Sequence, residues 1–108
     1  MIDRNKLEAI LGGDERMVNR FLEIFKNQTP DQLKLLKKSI GDNNWEQGSI
    51  TAHAIKSQCR YLGLEDIADL AFKIEQLTEE NLQLGIVPGL AAQLEAKLLT
   101  VIRKELNG

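Results

Sequence analysis

The chain has 108 residues, enough for one continuous core and too few for two. Hydrophobic residues make up 43% of it and charged residues 28%, the balance of a folded domain rather than a disordered chain. Its 14 basic and 16 acidic residues are mixed along the sequence for a net charge of -2, which leaves no basic stripe for nucleic acid.

Helical periodicity runs through the chain, and strand alternation is absent. A short leading helix is expected near Lys6 to Leu11, ended by Gly12-Gly13. From Asp14, placed to cap, Met17, Val18, Phe21, Ile24 and Phe25 recur at the three-and-four spacing of one helix face. Thr29-Pro30 has the form of an N-cap followed by Pro at the first helical position, and Leu33, Leu36 and Ile40 continue as a stripe to Gly41. The pattern fits two helices or one helix bent at Pro30. After the polar turn Gly41-Asp42-Asn43-Asn44, a long helix is expected from Trp45 to Leu62, with Gly63 as its C-cap. Ile67, Leu70, Ala71, Ile74 and Leu77 form the next apolar face. Beyond Gly85-Ile86-Val87-Pro88, the last comprises Leu90 or Ala91, Leu94, Leu98, Val101 and Ile102. Amphipathic helices joined by short connections predict an all-α, antiparallel up-and-down four-helix bundle with a short additional N-terminal helix, residues 1–108 forming one domain.

The remaining composition narrows the chemistry. A single His and a single Cys cannot make a Cys/His zinc cage or an internal disulfide within one chain. One Trp, one Tyr and three Phe give no base-stacking surface. No apolar run approaches the ~20 residues that cross a bilayer, and Met1 to Lys6 is followed by a mixed helix rather than an apolar leader. A cytoplasmic chain without metal, nucleic-acid or membrane partners is therefore expected.

The Trp45–Leu62 helix carries the only histidine. At about 100° per residue, Thr51, Ile55, Cys59 and Leu62 share one side, flanked by Ala52 and Ala54; Glu46, Ser49, His53, Lys56, Ser57 and Arg60 share the other. His53 is thus expected to be exposed at mid-helix among small and basic residues. An unperturbed imidazole, with pKa about 6.5, is mostly neutral near pH 7 and offers a nitrogen lone pair to phosphorus. Lys56, three residues on, stands where its ammonium can disfavour ring protonation and attract a phosphoryl dianion, and Arg60 continues the row. Phosphoryl transfer asks mainly for alignment and charge neutralisation, so a nucleophile and one cation suffice if a partner brings the rest. A lone helix histidine is nonetheless most often an ordinary surface or core residue. Cys59 points inward and reads as a core thiol.

The run Ala52-His53-Ala54-Ile55-Lys56-Ser57-Gln58-Cys59, then Leu62-Gly63 and Ile74-Glu75, resembles the signature of histidine-containing phosphotransfer (HPt) domains: Ala-His-x-Leu-Lys-Gly, small residues, Leu-Gly and a later Leu-Glu. Phe21-Leu22-Glu23-Ile24-Phe25 with Pro30 and Leu33 extends the likeness to about Asp14–Leu77. The resemblance implies a phosphorelay carrier, neither autokinase nor ATP-binding, in which His53 accepts a phosphoryl group from a receiver aspartate and passes it to another. It implies Lys56 as the assisting cation and no cofactor of the chain's own, Mg²⁺ coming with the receiver partner. The implied partners are response-regulator receiver domains and a hybrid sensor histidine kinase, engaging a monomer. Ser49, Ser57 and Arg60 on the His53 face, with Leu22 and Leu35, which fall off their apolar stripes, are the expected partner contacts. Ser57 stands where the family most often has Gly; its hydroxyl is expected to fold back onto the His53 carbonyl. Glu75 fits either a bundle brace or a solvated glutamate, and Gln58 needs a hydrogen-bond partner if buried. The alternative is a non-catalytic helical adaptor that docks receiver or kinase domains without phosphotransfer.

Overall fold

A computed structural model describes residues 1–107. Helix α1 (Arg4–Ile10) leads into α2 (Glu15–Gly41), α3 (Trp45–Tyr61), α4 (Glu65–Glu80) and α5 (Val87–Val101); a 3₁₀ turn at Leu84–Ile86 precedes α5, and a π-helical turn at Ile102–Leu106 follows it. Side-chain caps set three starts: Asp3 accepts from the Lys6 N–H, Asp14 from those of Arg16 and Met17, and Asn44 from that of Gln47. The turns at 42–44 and 62–64 reverse the chain sharply. Helix α2 packs on α3, α3 on α4 and α4 on α5, and α5 returns to α2 to close the bundle. The molecule measures 41 × 24 × 19 Å, its long axis matching the roughly 40 Å of a 27-residue helix such as α2.

One apolar cluster fills the interior. Leu7, Leu33, Leu36, Ile55, Leu62, Ile74, Leu94 and Leu98 are among its fully enclosed side chains. Helix α2 corrects the sequence reading in two ways. It runs unbroken through Pro30, and Thr29 is a buried mid-helix residue rather than a cap. Its core face is Val18, Leu22, Phe25, Thr29, Leu33, Leu36 and Ile40, a stripe that stays in phase across the proline, while Met17 and Ile24 are exposed at 49% and 42%. Leu22, expected on a docking patch, is therefore a core residue with 5% exposure and cannot meet a partner.

The C-terminal segment is a second correction. The 3₁₀ turn, α5 and the π-helical turn run on as one 23-residue stretch, Leu84–Leu106, with a window of mean hydropathy 1.3, long and apolar enough by those measures to cross a membrane. Pro88 hides this continuity in the sequence, because Pro sits comfortably in a first helical turn. In the bundle this stretch turns one face inward, with Val87, Ala91, Leu94, Leu98 and Ile102 buried, while Ile86 and Leu99 are exposed and 28% of the window is buried.

The connection from α3 to α4 holds the base of the bundle. Gly63 adopts φ +71°, and a Cβ there would lie 2.7 Å from the Asp3 Cβ. The Asp3 N–H donates to the Leu62 carbonyl at 2.8 Å, so the N-terminal segment closes directly over this turn.

Candidate functional site

Helix α3 turns Gly48, Thr51, Ala52, Ile55 and Cys59 inward, which leaves His53 outward with 58% of its side chain exposed. The ring does not stand alone. Its Nδ1 lies 2.6 Å from Glu75 Oε2 on the neighbouring α4, and the other oxygen of that carboxylate accepts from Lys56 Nζ at 2.8 Å. Glu75 is only 13% exposed and Lys56 18%, whose ammonium also lies 4.9 Å from the centre of the Phe72 ring. Burial pushes the Glu75 carboxyl up, but hydrogen bonds from Lys56 and His53, with the charges behind them, outweigh it and hold the group below its usual value.

An ionised carboxylate only accepts, so Nδ1 must carry the hydrogen of this bond. In a neutral ring the lone pair then belongs to Nε2, the nitrogen directed away from Glu75. The arrangement fixes the tautomer and orientation of an exposed imidazole, which is what a nitrogen nucleophile requires. Lys56 reaches the ring's surroundings through Glu75, a partner from α4 that helix spacing within α3 does not show.

Arg60 also differs from expectation. Its guanidinium donates to Glu65 at 2.7 Å and pairs with Asp69 at 3.0 Å, and these bonds raise its pKa. Glu65, drawn also by Lys6 at 3.0 Å, is held low by the same contacts. Arg60 is thus tied into the α3–α4 junction and is not a free cation beside His53. Ser49 and Ser57 are half-buried on the His53 face. The expected fold-back of Ser57 is absent among the described residues; the hydroxyls that do bond the carbonyl four residues earlier are those of Ser39, Thr51, Thr78 and Thr100. Leu35 is 43% exposed on α2, and Ile50 and Tyr61 on α3 are exposed as well, Tyr61 making an edge-on pair with Phe21. The Gln58 side-chain oxygen is buried without a partner, as are those of Thr29 and Gln32. Burial pushes the Cys59 thiol up to about 12 against a small opposing effect of Arg60, making it a poor nucleophile at neutral pH. Among the described residues, no group of three or more His, Cys, Asp or Glu side chains could hold a metal ion.

Sequence reasoning left the role of Glu75 open. The usable signal was its place in the Ile74-Glu75 pair: Ile74 is in the core, so Glu75 sits at the edge of that face, and α3 and α4 meet around the Gly63 turn with His53 and Glu75 at similar remove from it.

A family model described as Hpt domain matches residues 20–105, most of the chain. The chain belongs to the Hpt domain family. Hpt domains act in phosphorelays as phosphoryl carriers, without kinase sites, and interact with response-regulator receiver domains; the helical bundle found here is the family's all-α fold. Searches of curated proteins and of solved structures return no match.

Proposed function

We propose that His53 is the phosphoacceptor of this Hpt domain, that Nε2 is the reacting nitrogen, and that Glu75 and Lys56 hold the ring in position. The observation that carries the reading is the 2.6 Å contact between Nδ1 and Glu75. A receiver domain presents its phospho-aspartate with Mg²⁺; the Nε2 lone pair attacks phosphorus in line, the P–O bond breaks, and the aspartate carboxylate leaves with the electron pair. The Nδ1 proton stays on the ring, where Glu75 offsets the positive charge that develops as the N–P bond forms. In the second half of the relay a carboxylate of another receiver attacks the phosphorus and Nε2 leaves. The metal and the carboxylates belong to the partners; this chain supplies the aligned nucleophile. Residues 1–108 act as one unit, as a monomer in the cytoplasm, between a hybrid sensor histidine kinase and its regulators. Partner contacts are assigned to Leu35, exposed on α2, and to Ser49 and Ser57 on the His53 face of α3.

Incubation with a radiolabelled phospho-receiver tests this. Label should move to the chain in acid-labile, base-stable form and be lost in His53→Gln. Label retained by that variant excludes His53. A helical adaptor that only docks would instead take no label and bind its partner equally well as His53→Ala.

A further inference from the structure

Two hydroxyls beside His53 are unengaged. Ser39, Thr51, Thr78 and Thr100 bond the carbonyl four residues earlier at 2.7 to 2.9 Å, the usual resting place of a helix hydroxyl. Thr29 keeps its hydroxyl buried. Ser49 and Ser57 alone among the chain's serines and threonines are half-buried at the surface and make no hydrogen bond among the described residues. They lie four residues before and four after His53, on its face of α3, with Cβ atoms about 5–6 Å from that of His53. Helix side chains lean toward the N-terminus, so the imidazole extends over the turn of Ser49 while the Ser57 side chain leans toward the base of the ring.

Charge at the site gives the Ser49 hydroxyl a task. The Lys56 ammonium is matched by Glu75 at 2.8 Å, and Arg60 by Glu65 and Asp69. A phosphoryl group on Nε2 brings about two negative charges to a site where the Lys56 and Arg60 cations are already paired, and it needs donors that are not committed elsewhere. Serine hydroxyls are such donors, and their bonds to a phosphoryl oxygen are charge-assisted.

We propose that Ser49 is a positioning residue that donates a hydrogen bond to a phosphoryl oxygen on His53 and so sets the lifetime of the phosphohistidine. The proposal rests on His53 being the phosphoacceptor. The competing reaction is hydrolysis: water oxygen attacks phosphorus, the P–N bond breaks, its electron pair returns to Nε2, and inorganic phosphate leaves. Donors that fix the phosphoryl oxygens restrain the phosphorus from alignment with an arbitrary water.

The full chain can be phosphorylated with phosphoramidate, which transfers its phosphoryl group and releases ammonia, and decay followed by phosphorus NMR. The Ser49→Ala variant should lose phosphohistidine about tenfold faster than wild type, the scale of a lost hydrogen bond to a charged group, with a displaced phosphorus resonance and an unchanged thermal midpoint. Wild-type decay and an unmoved resonance in Ser49→Ala overturn the proposal while leaving His53 as acceptor. A wild-type chain that takes no phosphoryl group overturns the acceptor reading and this one with it.

Discussion

A histidine becomes a dependable nucleophile only when one nitrogen is spoken for, and Glu75 does that for His53 at 2.6 Å. Glu75→Ala should therefore slow phosphorylation of His53 on the order of tenfold, since the ring loses its fixed orientation and tautomer, while docking affinity for the receiver is unchanged. Single-turnover transfer at saturating receiver measures this; a rate equal to wild type would show that Glu75 merely braces the helices. At this scale the sequence was only partly legible. Helix spacing placed His53 outward and Cys59 inward because both follow from one helix. It did not show the partners of Lys56 and Arg60, because Glu75, Glu65 and Asp69 come from α4, and no periodicity within α3 shows which side chains a neighbouring helix brings. Leu22 was misplaced for a related reason: a stripe drawn only as far as Phe25 takes a line through Met17 and Ile24 that the continuous helix does not use.

At the scale of elements, Pro30 and Gly63 show opposite faces of backbone restriction. Pro30 lacks an N–H and normally ends or kinks a helix, yet α2 continues through it. The apolar stripe from Val18 to Ile40 stays in register on both sides, and burying it favours one helix over two. Gly63 is legible as a C-cap from its position after Leu62, but the close approach of Asp3 is a tertiary fact that only the fold reveals. Gly63→Ala meets both a left-handed backbone and a Cβ 2.7 Å from that of Asp3, and should cost about 2–3 kcal/mol. Urea unfolding should show a lower midpoint with an unaltered slope; an unchanged midpoint would mean that the N-terminal segment yields without cost.

For the molecule as a whole, the four-helix bundle was legible because each long helix carries an apolar stripe and the connections are short. The length of the last helical stretch was not, because Pro88 within its first turn reads like a boundary. Acid stability should reflect the ion pairs between elements. Glu75 and Glu65 are both held below their usual values by their partners. Their stabilising contribution is therefore fully present above the unfolded carboxylate range and is lost as pH falls through the lowered folded-state values. Urea midpoints measured from about pH 7 to about pH 3 should fall on the acid side, and Glu75→Gln should flatten that fall because one of the linked protons is gone. An identical pH profile in the variant would remove Glu75 from the linkage.

The most direct test of the account is the position of phosphorus on the ring. Phosphorus–nitrogen coupling in the phosphorylated, isotope-labelled chain should place the phosphoryl group on Nε2 of His53, with Nδ1 still protonated against Glu75. Phosphorus on Nδ1, or on any other side chain, would contradict it.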